Sequence, residues 1–470
     1  MSAAVQTLKN PFKDKKLSKL LFKFSAPAVA GMFVNALFNI ISRIYVGQDV
    51  GAIGIAAITV IFPLGILYMG FSAFIGIGSN ALFSIRLGEK RPQEALRVLG
   101  NGFILLIIMA GIVTTFSYMF LDPLLRFCGA DDAILPYSHL YATWVFPGYF
   151  VFAIGAGMNH FIRSSGRPKT AMATQFIGAF VNLIAAPLFI FKLGLGIKGA
   201  ALATVCGQVI SFSWVMYCLT GHRAPYRLMW KNFKLRLQIV LDVMAIGFSQ
   251  FAFQIASSAL NVILNHALLK YGGNLAISAM GVALSINTII IMPTSGISQG
   301  AQPLIGYNHG ARKYKTSIQT LKMALRWGMT VTTVGFIILQ LFARPIASIF
   351  NGQDTALIDL ASRVIRLVNI LLPIVPLQMM ATTFFQAINQ PLKAALLSLS
   401  RQILLVIPLV LILPLFWGLD GVFLAPVVAD GVSTLIAVLL LKHFFDQHDQ
   451  TVFLRRRNNK TNRALTHTHL

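Results

Sequence analysis

The sequence predicts an all-α membrane protein in which twelve transmembrane helices form two parallel six-helix repeat bundles. Of its 470 residues, 56% are hydrophobic and only 11% are charged, with a mean hydropathy of +0.73, whereas soluble proteins carry about 25% charged residues. When Gly51 is set on Gly273, an ungapped offset of 222 residues aligns IGIGSNALFSIRLGEK with ISQGAQPLIGYNHGAR. This match indicates that one half-chain has been duplicated.

The repeat extends to the last span of each half, with one slip. The offset of 222 residues holds in that span, and just upstream it increases by one residue. The aligned pairs include Gly196 with Gly418, Gln208 with Asp430 and, at the slip, Pro168 with Pro391. We therefore expect the same succession of helices in each half.

Apolar runs divide the chain into twelve spans, because a helix needs about 20 apolar residues to cross the hydrocarbon core of a bilayer. The predicted spans, numbered 1 to 12, are 20–44, 53–83, 98–120, 138–162, 169–191, 198–219, 239–268, 275–305, 320–342, 360–388, 394–415 and 421–444. The predicted domains are a cytoplasmic N-terminus (1–19), a first bundle (20–219), a cytoplasmic linker (220–238), a second bundle (239–444) and a cytoplasmic basic tail (445–470).

Lysine and arginine are concentrated in the loops on one face of the predicted membrane domain, which we call the basic face. Positive charge in short loops is typical of the cytoplasmic side, so this face and both termini are predicted to be cytoplasmic, in an inner or plasma membrane. Each half has an even number of spans, so both halves enter from the same side and the repeat is parallel. Residues of the basic face include Lys90, Arg91, Arg167, Lys169, Lys231, Lys234, Arg312, Lys313, Lys393, Arg455 and Arg456.

Composition and missing motifs exclude several function classes. The net charge of +25 lies between apolar runs, so it favours retention of the loops at the cytoplasmic leaflet over nucleic-acid binding. Three cysteines support neither a disulfide framework nor a metal site. The sequence contains no Walker loop and no HExxH motif, so we expect no enzyme activity, no ATP motor and no cofactor.

Asp430 is the clearest candidate for a functional charge. A charged side chain is costly in lipid, and Asp430 lies near the middle of the apolar run 421–441. It is either an internal site for a proton or a cation, or an acid that bonds a neighbouring helix. Arg401, at the start of span 11, is either a snorkelling interfacial residue or the partner of a buried acid. Arg163, at the end of span 4, is predicted to be interfacial.

Polar amides mark a candidate cavity between the halves. Asn35, Asn39 and Ser42 lie on one face of span 1 because they are three to four residues apart. Amides in membrane helices either bond neighbouring helices or line a cavity at the repeat interface, and the alignment of Asn39 with Asn261 favours the cavity. The candidate cavity residues are Asn35, Asn39, Ser42, Gln175, Asn182, Gln208, Gln250, Gln254, Asn261 and Asn265.

Several segments occur in a recognisable order between Phe24 and Leu441. They include YVGQDVGAIGIAAITVIFP, SIRLGEKRPQEA, FIRSSGRPKTAM, GIKGAALATV, SQGAQPLIGYNHGARKY and GLDGVFLAPVVAD. In this order and spacing the chain resembles the multidrug and toxic compound extrusion (MATE) transporters. The resemblance implies two six-helix bundles that form a V, a central cavity, and export of organic cations by exchange with Na+ or H+.

The chain departs from the resembled family at positions where acids are common. Many members carry an acid in span 1, where this chain has Ile41, Ser42 and Arg43, and relatives often carry one in span 5 at the position of Ala186. These coupling acids cannot be transferred to this chain. Asp430 remains the candidate coupling residue, with Arg401 as its candidate partner.

The predicted function is that of a secondary active efflux transporter for organic, often cationic, drugs and toxic compounds, coupled to Na+ or H+ antiport. The alternatives are a lipid-linked oligosaccharide flippase of the same superfamily and a major-facilitator-type transporter. The expected partners are small organic substrates and the lipid bilayer. We expect a monomer with no catalytic residue, no metal site and no bound nucleic acid.

Overall fold

The computed structural model of the chain describes residues 17–467, apart from 50, 129, 131, 133, 223 and 351–354. Side chains at the helical positions 35–44, 46–49, 51–53, 55–56, 59, 258, 262, 274, 349–350 and 447–467 are also outside the description. Most of the predicted N-terminal segment and the side chains of the basic tail therefore lie outside the described residues. The described chain is almost entirely helical, and no strand occurs in it.

The first half contains six long helices in the predicted order. Three of them begin with a proline in the first turn, where the missing N–H costs little because the first amides of a helix have no helical partner. Span 5 ends in a π-helical turn, Leu188–Lys192, and a short helix, Leu121–Phe127, follows span 3. Spans 1 to 6 are Leu17–Asp49, Gly51–Gly88, Pro92–Met119, Leu135–Ser164, Pro168–Lys192 and Gly196–Thr220.

The second half repeats this arrangement. Spans 7 and 8 meet at Gly273, whose φ of +63° breaks the helix. Spans 7 to 12 are Leu237–Gly273, Leu275–Gly310, Tyr314–Phe350, the pair Thr355–Val368 and Leu372–Ala387, Pro391–Ile412 and Pro414–His467. Eleven helices of the described chain are long and apolar enough to cross a membrane, and the bent pair of span 10 makes a twelfth. The predicted fold class is confirmed.

Span 10 differs from its prediction as one continuous run. The structure breaks it into two helices that are bent by 41° between Val368 and Leu372. Pro373 and Pro376 lie just after the break. Because proline has no backbone N–H, the helical hydrogen-bond ladder cannot continue through this region.

Four turns on the basic face share one backbone geometry. At each turn the helix ends at a residue in the left-handed region, namely Lys90, Gly166, Arg312 or Asn389, with φ between 57° and 83°. The next amide donates to the carbonyl five residues earlier, as in a Schellman C-cap. Lys90 and Arg312 are repeat mates at the offset of 222, and Gly166 and Asn389 are mates after the slip to 223. The backbone therefore confirms the parallel repeat.

The opposite face shows the same symmetry. Gly196 and Gly418 each have a φ of +53°. Gln208 and Asp430 each lie twelve residues further along the chain. They therefore occupy equivalent positions in spans 6 and 12, as the repeat predicts.

The two halves exchange helix ends at the basic face. Leu21 and Phe24 of span 1 pack in a hydrophobic core otherwise formed by spans 8 to 12. Val243 and Ile246 of span 7 pack in a core otherwise formed by spans 2 to 6 and the linker. The first helix of each half therefore begins in the core of the other half, which joins the halves at this face.

Two glycines allow the halves to touch there through their backbones. A Cβ on Gly88 would lie 2.0 Å from the carbonyl oxygen of Tyr307, and a Cβ on Gly310 would lie 2.1 Å from that of Ile85. Gly88 and Gly310 are repeat mates, and so are Ile85 and Tyr307. The contact is therefore nearly symmetric, and neither glycine has room for a side chain.

Candidate functional site

A line of polar contacts joins the two halves between the membrane centre and the basic face. We call it the seam; its residues are Asn80, Arg163, Gln299 and Gln302. Asn80 Nδ2 donates to Gln302 Oε1 at 3.2 Å, across 222 residues of sequence. Because repeat mates meet only near the symmetry axis, the axis of the repeat passes through this contact. Ser164 Oγ also donates to Asn80 Oδ1.

Arg163 forms the second contact of the seam. Its Nη1 donates to Gln299 Oε1 at 2.7 Å, so span 4 is joined to span 8. The interfacial position predicted for Arg163 is wrong, since only 6% of the residue is exposed. The reason is that the other half covers the end of span 4, which a single sequence does not reveal.

Among the described residues, contacts between the halves along spans 2 and 7 can be followed from the basic face to the level of Gly70, whose Cβ would lie 3.5 Å from Gln254. Further toward the opposite face, Asn261, Asn265 and Thr288 are exposed. Polar side chains at membrane depth face a bundle interior or water far more often than lipid. These exposed side chains are candidates for the lining of the polar cleft that the sequence predicts between the halves, beyond the seam.

Asp430 forms a buried ion pair in the second half. It is 8% exposed, and Arg401 Nε donates to its carboxylate. Of the two interpretations of Arg401, the structure supports the partner of a buried acid. Arg401 lies in a π-helical segment, Ser400–Val406, whose wider turn changes the direction of its side chains relative to an α-helix. Adjacent Gln402 donates to Ser257 Oγ of span 7 at 2.9 Å.

Two further amides lie close to each other in the second half, and the sequence analysis missed both. Asn287 Nδ2 of span 8 donates to Asn369 Oδ1 of span 10 at 2.6 Å, and Asn369 is fully buried. The available signal was an amide in the apolar run of each span. The sequence analysis also overlooked Asn80 and Gln302, although the repeat alignment places one on the other.

At one pair of repeat mates the first half has an amide where the second half has a charge. Asn182 is buried and donates to Thr204 Oγ1 at 3.3 Å. Gln208, the repeat mate of Asp430, packs against Gly148. The Oε1 atoms of Gln175 and Gln208 are buried, and no hydrogen bond to either is present among the described residues. The repeat mates Gln208 and Asp430 thus occupy equivalent positions and differ in charge.

The other predicted cavity residues fall into three groups. Asn35, Asn39 and Ser42 have side chains outside the described residues, so the pairing of Asn39 with Asn261 stays a prediction. Asn261 is exposed and donates to the carbonyl of Ser257 in its own helix. The remaining positions are Gln250, which is half-buried, Gln254, which reaches span 2, and Asn265, which is exposed.

The described chain contains no group of three or more His, Cys, Asp or Glu side chains placed to hold a metal.

Together, these features define a class of protein. Transporters built from two parallel repeats have their central site between the halves, and in this chain the seam joins the halves on one side of that position. The architecture is therefore that of a membrane transporter.

The chain belongs to the MATE transporter family. The MatE family model matches residues 27–188 and 245–412, one match in each half. Among curated proteins, the chain is 26% identical to an FAD transporter of Shewanella oneidensis, with 87% of this chain and 91% of that protein covered. It is 22% identical to the multidrug export protein MepA of Staphylococcus haemolyticus, with 92% and 94% covered.

Solved structures of MATE transporters have the same fold. A MATE transporter in a bent conformation superposes with a TM-score of 0.88 at 23% identity, covering 96% of this chain and 99% of that one. An outward-facing multidrug resistance MATE transporter superposes with a TM-score of 0.86 at 24% identity, covering 94% and 98%. At these identities the likeness shows the fold alone.

Proposed function

We propose that this protein is a secondary active efflux transporter that exports small organic molecules, often cationic, by antiport with Na+ or H+. The observation that supports export most directly is the closed seam near the basic face, together with the exposed polar side chains of spans 7 and 8 on the opposite side. We propose that the basic face is cytoplasmic, because its lysines and arginines are typical of that side. The cleft then opens outward, which is the state in which an exporter releases its substrate.

We propose that Asp430 is the coupling residue and Arg401 its partner. A proton or Na+ that binds the carboxylate competes with the guanidinium, because each neutralises the same charge. Gln402 connects the segment that carries Arg401 to Ser257 of span 7, and span 7 also carries the exposed Asn261 of the cleft. Exchange of partners at Asp430 thereby changes the packing of a helix that lines the substrate pathway.

Efflux measurements in cells test this proposal. We expect cells that express the protein to export ethidium or a fluoroquinolone. When the Na+ and H+ gradients are collapsed one at a time, export should stop with the gradient of the coupling ion and continue without the other. Asp430→Asn keeps the shape of the side chain and removes its charge, so gradient-driven export should be lost at normal levels of membrane protein. Export by Asp430→Asn at the wild-type rate would show that the acid is structural. Export of no compound by the wild type would end the proposal.

The similarity to an FAD transporter favours a second candidate, a flavin nucleotide as the exported molecule. That relative is 26% identical over most of both chains. Measuring FAD in the medium beside ethidium efflux separates the two candidates, because one substrate is an anion and the other a cation. We also propose that the protein works as a monomer, which the mass of the purified protein in detergent tests.

A further inference from the structure

Arg163 is a buried cation for which the described residues provide no counter-ion. It is 6% exposed. None of the ion pairs among the described residues includes it, whereas Arg401 pairs with Asp430. Its partner is the neutral amide of Gln299, at 2.7 Å. A guanidinium has five donors in a planar fork, so one amide oxygen leaves most of its capacity unused.

The surroundings of Arg163 offer little compensation for its charge. Span 4 ends at Ser164, and the C-terminus of a helix carries about half a negative charge. His160, one turn earlier, packs near Gly76 of span 2 and supplies no negative charge. A buried charge is costly unless it is paired, so this arginine demands a functional reason for its position.

The position of Arg163 on the seam supplies that reason. Gln299 belongs to span 8 and Arg163 to span 4, so their hydrogen bond exists only while the halves are closed at the basic face. The proposed export requires the halves to separate there, which would withdraw Gln299 and leave the guanidinium facing the opening. Arg163 then lies on the route into the cleft from the basic face.

We propose that Arg163 is a substrate-binding residue for an anionic group, a phosphate or carboxylate, on molecules that enter from the basic face. In the closed state the guanidinium donates to Gln299, and in the open state it donates to the anion instead. Guanidinium groups bind phosphate and carboxylate through two parallel N–H bonds. The inference rests on the proposed export function and extends the substrate class to organic anions.

Transport of three probes by matched variants tests the inference. FMN and riboflavin share one ring system and differ by a phosphate, and ethidium is a cation. We expect Arg163→Gln to lower FMN export about ten- to hundredfold relative to riboflavin and ethidium export, the range for loss of a charged hydrogen bond. Gln299→Ala breaks the same hydrogen bond but keeps the charge, so FMN export should persist. Equal losses in both variants, or equal losses of FMN and ethidium, would mean that Arg163 serves only to close the seam.

A second variant tests the inference without removing the arginine. Gln299→Glu is nearly isosteric and places a carboxylate on the guanidinium. It should therefore lower FMN export much more than ethidium export, because any added stability of the closed seam affects both probes alike. Unchanged FMN export in this variant would overturn the inference, as would a wild type that exports ethidium but not FMN. In either case the proposed export function stands. A wild type that exports none of the three probes ends both.

Discussion

At the scale of single residues, the contact between the halves depends on glycine. Gly88 and Gly310 each face a backbone carbonyl of the other half, and a backbone atom cannot move aside as a flexible side chain can. The repeat alignment already paired these two glycines. It did not show what approaches them, because a glycine in a short loop also serves as an ordinary helix end.

Alanine at either glycine should disturb the closed state. We expect Gly88→Ala or Gly310→Ala to destabilise the protein by about 1–3 kcal/mol, the usual cost of overpacking, and to increase thiol labelling of a cysteine placed at Asn80. Gly281→Ala is the matched control, because its Cβ meets nothing within 4 Å. Wild-type stability and labelling in Gly88→Ala would show that the halves do not touch there.

The burial of Arg163 could not be predicted from the sequence. Hydropathy placed Arg163 at a membrane boundary, since it follows an apolar run. Its burial depends on the other half of the chain, so no local pattern encodes it. Asp430 was easier to identify because a lone acid in the middle of an apolar run is unusual.

At the scale of helices, span 11 shows how irregular backbone positions a charge. The π-helical segment Ser400–Val406 carries Arg401 next to Asp430 of span 12. The sequence supplied both residues and left two interpretations for the arginine. No residue pattern predicted the π-helix, because π-helical turns have no characteristic amino-acid composition. The break in span 10 was more accessible, since Pro373 and Pro376 stand inside its apolar run.

Breaking the ion pair should cost more than removing it. Asp430→Asn leaves the half-buried Arg401 without a counter-ion. Loss of one partner costs about 3–5 kcal/mol in a fully buried pair, and this cost is smaller where water reaches the guanidinium. We expect the double variant Arg401→Gln/Asp430→Asn to be more stable in detergent than Asp430→Asn alone, because no uncompensated charge remains. Thermal unfolding of the purified proteins measures this difference. Equal stability of the single and double variants would mean that the two charges do not interact.

At the scale of the whole molecule, the number and order of the spans and the parallel repeat were predictable from the sequence. The exchange of helix ends was not. Span 1 and span 7 begin with apolar residues that suit either core, and hydropathy cannot tell which half a helix end joins. The seam depends on that exchange, so the sequence alone could not predict that the halves are closed near the basic face.

The orientation of the chain can be tested in the linker. Asn232 is a poor position for a label, because it is buried and its carbonyl faces Gly100. Lys231 and Lys192 are exposed and are predicted to lie on opposite faces. In a chain without Cys128, Cys206 and Cys218, we expect an impermeant maleimide to label Lys192→Cys in intact cells and Lys231→Cys only after the cells are opened. The reverse pattern would invert the proposed direction of transport.

We propose that the pathway opens alternately at the two faces of the membrane, and that the seam closes it near the basic face. Asn80 and Gln302 are in direct contact there, so cysteines at both positions can be joined by a short, cleavable bifunctional thiol reagent. The cysteine-free chain with Asn80→Cys and Gln302→Cys should lose ethidium export when cross-linked and regain it after cleavage. Each single cysteine variant, treated with the same reagent, should keep exporting. Continued export at the full rate by the cross-linked protein would contradict the account.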